Sequence, residues 1–238
     1  MSELLTLENV DAYYGRSHVL HAVSLAVRRG EVVLLLGRNG AGKTTIMRTA
    51  MGLVAVRGGD IRLRGRRILG LAPHRIAQLG IGLVPEDRRV FAKLSVRQNL
   101  ELGRKAPSDP DRPGAWNFEA VFALFPALAE LQSRRSGTLS GGQQQMLTIA
   151  RTLMGNPELL LLDEPAEGLA PVIVEVLAER LATLRHQGIA MLISEQNLTF
   201  ARALADRAYV MESGTIRHQG AIDELDAHPQ AWTRYVGF

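Results

Sequence analysis

Three short runs of exclusively apolar residues constrain the fold of this 238-residue chain more than any other feature. They are Val32 to Leu36, Leu159 to Leu162 and Ile189 to Ile193. A strand that is apolar on both faces must be covered on both faces, which is typical of a parallel sheet between layers of helices. Helical patterns at Val172 to Leu184 and Leu198 to Ala205 alternate with these runs. The sequence therefore predicts an α/β fold with a mainly parallel sheet.

Two parts of the chain depart from this alternation. Near the N-terminus, short alternating runs such as Leu5 to Val10 and Ser24 to Val27 predict an antiparallel sheet layer. Residues from about 97 to 154 have helical patterns, and the loop predicted at 106–114 interrupts them with three prolines. We expect a single domain spanning 1–238, with a core at 1–85 and 156–238 and a helical subdomain inserted at about 86–155.

Composition excludes several classes of function. Cysteine is absent, which excludes disulfides, thiol catalysis and zinc sites built on cysteine. We find no apolar run of roughly 18 residues that could span a bilayer, and the first ten residues lack the basic start of a signal peptide. A cytoplasmic location is therefore expected. The net charge of +4 comes from scattered arginines rather than a run of like charge, so no nucleic-acid partner is expected.

The first apolar run leads directly into a glycine-rich segment, GRNGAGKT at 37–44, and a helical pattern follows. Glycines let backbone N–H groups turn towards phosphate oxygens, and the start of a helix adds partial positive charge. Lys43 can then reach the β- and γ-phosphates, and the Thr44 hydroxyl can ligate Mg²⁺. The residues predicted to bind a nucleotide here are Gly37, Asn39, Gly40, Ala41, Gly42, Lys43, Thr44 and Thr45.

The second apolar run ends in two acidic residues, Asp163 and Glu164. A carboxylate at the carboxyl end of a parallel strand faces the ligand crevice of an open α/β sheet. Asp163 is expected to hold Mg²⁺ through a water molecule, and Glu164 to orient or deprotonate the water that attacks the γ-phosphate. An isolated Asp-Glu pair is more often a solvated strand end. The phosphate-binding loop favours the functional interpretation.

Residues 139–143 read LSGGQ at the start of another predicted helix. Ser140 suits the N-cap position, and the two glycines leave N–H groups free for an anion. Alone this is a weak signal. The order of glycine-rich loop, LSGGQ and the leucine run with Asp-Glu-Pro is highly specific, and over essentially its whole length the chain resembles the ABC ATPase family.

This resemblance implies a P-loop (RecA-like) core, with the antiparallel layer and the helical insert, and a head-to-tail dimer with two ATP molecules at its interface. Each ATP is held by the phosphate loop of one subunit and the LSGGQ segment of the other. The residues that would serve the partner's nucleotide are Ser140, Gly141, Gly142 and Gln143. Tyr14 matches the aromatic residue that stacks on adenine in the family, although Tyr13 to Gly15 also fits two strand residues and a turn.

Two positions depart from the family's usual pattern. Glu86 stands where many members have glutamine, so it could ligate Mg²⁺ directly while its charge approaches the γ-phosphate. Gln196 stands where many members have a histidine that contacts the γ-phosphate. Glutamine keeps a hydrogen-bond donor but cannot become a cation. We expect Glu86 and Gln196 to act with Glu164 in catalysis, and each substitution to weaken hydrolysis at the chain's own site.

These departures occur together in one subfamily. The segments VPEDRRVF at 84–91, GLAP at 168–171 and EQN at 195–197 resemble the second ATPase of branched-chain amino acid importers. The resemblance implies a second, different ATPase subunit, two membrane permeases and an extracytoplasmic binding protein, with this chain at the cytoplasmic face of the inner membrane. Asp87 replaces the usual glycine, so a related importer for urea, amides or aromatic acids stays an alternative. A non-transport ABC ATPase acting on nucleic acid is less favoured.

Overall fold

The structure is a computed structural model that describes residues 2–106, 115–196 and 198–227. Most of the loop predicted at 106–114 lies outside these residues, as does Asn197. The strands are β1 (Glu3–Tyr14), β2 (Ser17–Arg28), β3 (Val32–Leu36), β4 (Ala55–Leu63), β5 (Arg66–Arg67), β6 (Ile81–Val84), β7 (Leu159–Asp163), β8 (Ala190–Ser194), β9 (Arg207–Glu212) and β10 (Thr215–Ala221). The helices are α1 (Lys43–Ala50), α2 (Pro73–Gln78), α3 (Val96–Gly103), α4 (Phe118–Leu124), α5 (Pro126–Glu130), α6 (Gly141–Leu153), α7 (Pro171–His186), α8 (Leu198–Arg202) and α9 (Ile222–Ala227).

The strands form two sheets. The larger has the order β10-β9-β3-β8-β7-β6, and its strands are parallel except for β10, which pairs antiparallel with β9. The smaller is antiparallel, with the order β2-β1-β4-β5. The predicted α/β class, with a mainly parallel sheet and an antiparallel layer, is confirmed.

Alternating side chains of each central strand enter two different cores, which explains why these strands are apolar throughout. In β3, Leu34 packs with helices that include α6 and α7, whereas Leu35 packs with α1 and the antiparallel sheet. The same alternation holds in β7, with Leu160 on the first side and Leu161 on the second. Because every residue of β3, β7 and β8 is buried, no position on these strands tolerates a polar side chain until the strand ends.

The helices between β6 and β7 begin at defined caps. Ser95 starts α3 and Ser140 starts α6, each in a reciprocal pair of hydrogen bonds with a glutamine three residues later. Asn99 on α3 is fully buried and donates to the Ser136 hydroxyl at 2.8 Å, which ties α3 to the turn before α6. These helices fall within the predicted insert, whose boundaries at about 86 and 155 stay a prediction.

Several element lengths differ from those that the sequence predicted. Strands β1 and β2 are much longer than their alternating runs, because register shifts in their pairing break the alternation. Helix α8 ends at Arg202 rather than at Ala205, since a turn leads from it into β9. The carbonyl of Leu204 in this turn accepts a hydrogen bond from Arg185 at 3.1 Å. Among the helices that the structure describes, none combines the length and the apolarity needed to cross a bilayer.

Two leucines of α3 offer a matched test of the core. Leu100 is fully buried, whereas Leu102 is 57% exposed. We expect Leu100→Ala to lower the free energy of unfolding by about 2–5 kcal/mol, because it leaves a cavity. Leu102→Ala should change it by less than about 0.5 kcal/mol. Urea unfolding of both variants measures the difference, and equal losses would contradict the assignment of Leu100 to the core.

Candidate nucleotide site

The phosphate-binding loop leaves β3 and enters α1 without a side-chain cap. Gly42 occupies the N-cap of α1 with φ of +108°, a conformation that residues with a side chain rarely adopt. Gly37 lies so close to the backbone of Met211 that a Cβ would be 2.5 Å from its carbonyl oxygen. The N–H groups at the start of α1 therefore have no side-chain partner and are available to an anion.

Lys43 is a nearly buried cation at the first position of α1, with 5% of its side chain exposed. Its Nζ donates to the carbonyl of Gly37 at 2.9 Å and lies 3.1 Å from a carboxylate oxygen of Glu164. The side chain thus bends back over the loop. This places its charge between the loop and Glu164, where phosphate oxygens would be recognised.

The carboxylate of Asp163 joins three elements at one point. Its Oδ1 accepts hydrogen bonds from Thr44 Oγ1 at 3.0 Å and from Ser194 Oγ at 2.7 Å. Asp163 ends β7, Ser194 ends β8, and Thr44 lies in the first turn of α1. Ser194 is fully buried and was not predicted. The signal in the sequence is a single polar residue directly after an apolar run.

Glu164 sits in a left-handed backbone conformation, with φ of +46°. Its N–H donates to the backbone carbonyl of Ser194 and lies 3.1 Å from the Ser194 hydroxyl oxygen. Its side chain is 8% exposed. Its Oε2 accepts from Gln196 Nε2 at 2.9 Å, and the same amide lies 2.8 Å from Asn39 Oδ1. Gln196 and Lys43 therefore hold the two carboxylate oxygens of Glu164 in place.

A second acid, Glu195, stabilises the positions of Gln196 and of the loop that follows Glu164. Its side chain is buried, and its oxygens accept from the backbone N–H groups of Ala166 at 2.8 Å and Gln196 at 3.2 Å. Glu195 thus links the loop after Glu164 to Gln196, whose side-chain amide contacts Glu164. Sequence reasoning used Glu195 only as part of a subfamily pattern and missed this role.

Glu86 follows β6 and lines the same cleft. Partial burial raises the pKa of Glu86 above the ordinary glutamate value. The charge of Glu167, with which Glu86 shares a hydrogen bond, raises this pKa further, as do the charges of Asp163 and Glu164. Glu86 therefore holds a proton more readily than an exposed glutamate does.

These residues line a cleft of about 380 Å³. The predicted site residues among those that line it are Asn39, Gly40, Ala41, Gly42, Lys43, Thr44, Thr45, Glu86, Glu164 and Gln196. Val19 and Glu167 also line it and were not predicted. Val19 carries no chemical signal in the sequence. Glu167 directly precedes the GLAP segment, which the sequence identifies only as part of the subfamily pattern.

Tyr14 is not among the residues that line this cleft. It ends β1, pairs with Ser17 across the hairpin, and is 43% exposed. The neighbouring ring of Tyr13 is stacked on His18, with centroids 4.2 Å apart, and the Arg57 guanidinium lies 4.4 Å from it. Of the two tyrosines, only Tyr14 keeps a ring free for a base, and its contact with adenine stays a prediction.

The LSGGQ segment lies outside the cleft as well. Ser140 caps α6 through two hydrogen bonds. Its N–H donates to Gln143 Oε1 at 3.0 Å, and its Oγ accepts from the Gln143 N–H at 3.3 Å. At Gly142 a Cβ would be 2.6 Å from Ile173 of α7, so this glycine allows α6 and α7 to pack closely. The structure does not bring these residues to the chain's own cleft, and their service to a partner's nucleotide stays a prediction.

The oxygen donors of the cleft suit Mg²⁺. Magnesium is bound through one or two protein oxygens together with phosphates and water. The Thr44 hydroxyl and the Asp163 carboxylate, 3.0 Å apart, form such a set. Within the described residues no group of three or more His, Cys, Asp or Glu side chains is arranged to hold a metal. The residues therefore fit an ion that arrives with a nucleotide.

A phosphate loop between a buried strand and a helix, with two carboxylates at the end of a parallel strand, defines a P-loop nucleotide-binding protein. The sequence pattern of the ABC transporter family matches residues 20–167, and the chain belongs to this family. The chain is therefore an ATP-binding cassette and an ATPase, as the proteins of this family are.

The chain is similar to several curated proteins over nearly its whole length. It is 42% identical to the high-affinity branched-chain amino acid transport ATP-binding protein BraG of Pseudomonas aeruginosa, covering 98% of this chain and 100% of that one. It is 33% identical to the probable branched-chain amino acid transport ATP-binding protein LivF of Archaeoglobus fulgidus, covering 94% and 95%. It is 34% identical to the lipopolysaccharide export system ATP-binding protein LptB of Acidithiobacillus ferridurans, covering 100% and 98%.

Solved structures agree with the fold. A nucleotide-free ATP-binding cassette from an ABC transporter superposes with a TM-score of 0.84 at 27% identity, covering 99% of this chain and 98% of that one. Another cassette of an ABC transporter, in its ADP conformation, gives 0.83 at 28% identity, with all of both chains covered. The ABC-type architecture predicted from sequence is therefore confirmed.

The position of Lys43 makes ATP affinity a direct test of the cleft. We expect Lys43→Met to weaken Mg-ATP binding roughly 10- to 100-fold, because charge-assisted hydrogen bonds to phosphate are lost. Arg38→Met is the matched control, since Arg38 is an exposed cation of the same loop. Equilibrium titration with a fluorescent ATP analogue measures both affinities. Similar losses in the two variants would indicate a general charge effect rather than a built site.

The raised pKa of Glu86 predicts how stability depends on pH. The folded chain binds a proton at Glu86 more tightly than the unfolded chain, so the stability conferred by this protonation is present below pH 4.5, the ordinary value, and is lost as pH rises through the raised pKa. Glu86→Gln should therefore be more stable than wild type at neutral pH, and this advantage should shrink as pH falls towards 4.5.

Urea unfolding of wild type and Glu86→Gln between neutral and acidic pH measures this dependence. Glu175→Gln removes a carboxylate from the exposed surface of α7 and serves as the control for net charge. A stability difference between wild type and Glu86→Gln that stays constant with pH would show that Glu86 is not perturbed by its acidic neighbours.

Proposed function

We propose that the chain is the ATP-hydrolysing subunit of a bacterial importer for branched-chain or related amino acids. The observation that carries the proposal is the 42% identity to BraG over 98% of this chain and all of BraG, combined with an intact nucleotide cleft. Asp87, where the subfamily usually has glycine, keeps an importer for urea, amides or aromatic acids as the second candidate.

The chemistry follows from the contacts of the cleft. The uncapped start of α1 and Lys43 bind the phosphates of ATP. Glu164 accepts the proton of the attacking water, and the Gln196 amide, 2.9 Å away, keeps its carboxylate oriented. When bound, Mg²⁺ would supply positive charge to neutralise the phosphates. Thr44 and Asp163 would hold this ion, with Glu86 as a further ligand when it is ionised.

A second ATPase subunit would pair with this chain head to tail. Residues 140–143 of this chain would then close over the partner's ATP, and the partner's equivalent segment would close over the ATP in this cleft. The exposed Ser140 at the start of α6 supports this arrangement, since it is available to a neighbouring molecule. ATP binding favours the closed dimer, and hydrolysis removes the γ-phosphate contacts that hold it closed.

The two sites of such a pair would differ in speed. Gln196 cannot become a cation next to the γ-phosphate. Glu86 is held against Glu167, and both carboxylates face the same cleft. Both features favour slow hydrolysis in this cleft. The partner's cleft would then hydrolyse most of the ATP, and residues Ser140 to Gln143 of this chain would complete that cleft.

Transport requires partners in the membrane. Two permease subunits would dock near the segment from Glu86 to Arg97, where Phe91 is 51% exposed. Phe91 and Leu102 both line a groove that residues 81–83 of β6 also line. An extracytoplasmic protein would deliver the substrate to the permeases, and this chain would act at the cytoplasmic face of the inner membrane. No nucleic acid is expected to take part.

The first test is the rate of ATP hydrolysis by this chain alone and mixed with a candidate partner ATPase from the same organism. We expect the mixture to be much faster, and to keep its activity when this chain carries Glu164→Gln, because the partner's cleft remains intact. Replacing the equivalent glutamate of the partner with glutamine should lower the rate by about 10²- to 10⁴-fold, the usual contribution of a general base. If this chain alone is fully active and Glu164→Gln abolishes that activity, the asymmetric assignment is wrong.

Substrate class requires the complete assembly. In vesicles that contain both ATPases, the permeases and the binding protein, labelled leucine should enter in an ATP-dependent way. Uptake of labelled urea or of an amide in place of leucine would favour the second candidate. Matched vesicles with the partner's Glu164 equivalent changed to glutamine control for passive leakage.

A further inference from the structure

The segment Asp87–Arg89 follows Glu86 and lies in the stretch near which the permeases would dock, but the proposed function does not use its contacts within the chain. Arg88 and Arg89 have φ values of +56° and +23°. Such left-handed conformations cost free energy in residues with a side chain, and they persist where surrounding contacts fix them. The contacts that fix this segment are therefore informative.

The guanidinium of Arg88 lies close to two glycines, Gly141 at the start of α6 and Gly168 in the loop that follows Glu164. Its Nη2 donates to the carbonyl of Glu167 at 2.8 Å. Its Nη1 lies 2.7 Å from where a Cβ of Gly141 would be, and its Nη2 lies 3.4 Å from a Cβ built on Gly168. One side chain thus contacts both the loop that follows Glu164 and the start of the LSGGQ helix.

Backbone contacts anchor the same segment to α6. The carbonyl of Arg88 accepts a hydrogen bond from the Thr148 hydroxyl. The carbonyl of Arg89 accepts from Arg151 Nη2 at 2.8 Å. Thr148 and Arg151 lie one turn apart on the same face of α6. The helix that Ser140 caps is therefore held by this segment at its start and along its length.

The other end of the segment reaches the nucleotide cleft. Glu86 lies two residues before Arg88 and lines the cleft together with Glu167. Arg88 donates to the backbone carbonyl of the same Glu167. Arg88 therefore links Glu167, which lines the cleft, to the start of α6 at Gly141.

We propose that Arg88 is a positioning residue that couples this chain's own nucleotide cleft to its Ser140–Gln143 segment. The inference rests on the proposed function, in which that segment completes the partner's site. Nucleotide bound in the slow cleft then sets the placement of Ser140, and through it the turnover in the partner's cleft. The slow cleft acts as a regulatory site for the fast one.

The test uses the assembled pair with Glu164→Gln in this chain, so that hydrolysis reports the partner's cleft alone. We expect Arg88→Met to lower kcat/KM for ATP by roughly 5- to 150-fold, the usual range of coupling between two sites. ATP affinity of the isolated chain, measured by fluorescence titration, should change by less than about twofold, because Arg88 does not line its cleft.

Two further variants separate coupling from folding. Arg89→Met is the matched control, since the side chain of Arg89 pairs with the exposed Asp87, and it should leave the rate unchanged. Arg88→Lys keeps the charge, but lysine has no planar fork with which to reach both Glu167 and the start of α6. We expect this variant to have the thermal unfolding midpoint of wild type, while its kcat/KM for ATP stays low as in Arg88→Met.

An unchanged kcat/KM in Arg88→Met, or an equal loss in Arg89→Met, overturns the inference and leaves the proposed function intact. A pair in which wild-type chains show no stimulation on mixing overturns the proposed function, and the inference with it.

Discussion

The carboxylate of Asp163 is the point at which the parallel sheet and the phosphate loop are held in register. It accepts hydrogen bonds from Thr44 on α1 and from Ser194 on β8 while it ends β7. A buried carboxylate without such donors would be strongly unfavourable, so these contacts specify one alignment of the three elements. The cores on either face of the sheet supply the stability with which this alignment is maintained.

Charge in the cleft is balanced by few groups. Lys43 is paired with Glu164, while Glu86 and Glu167 face each other and share a hydrogen bond. A nucleotide brings further negative charge into this cleft. The dipole of α1 and a metal ion bound with the nucleotide must therefore compensate for that charge. The same balance explains why Glu164 is held by two donors from different elements, since an unrestrained carboxylate would move away from the phosphates.

The sequence predicted those features that depend on local pattern and failed on those that depend on tertiary contact. Continuous apolar runs identified β3, β7 and β8, because a strand buried on both faces has no other composition. Val19 could not be predicted, since its place in the cleft depends on how the antiparallel sheet packs against the loop. Gly141 was interpreted as a source of free N–H groups, and the structure adds a steric reason, which is the Arg88 side chain at its α-carbon.

The position of β3 in the sheet has a consequence for synthesis of the protein on the ribosome. Its two neighbours, β8 and β9, belong to the C-terminal part of the chain. When the phosphate loop emerges, the strand that carries it has no partner on either edge, and the pairing must wait until nearly all of the chain has been made. The GRNGAGKT motif is therefore complete before the sheet that positions it can form. An apolar strand with two open edges is open to non-native pairing during this interval, so the first third of the chain is exposed to aggregation until synthesis is nearly finished.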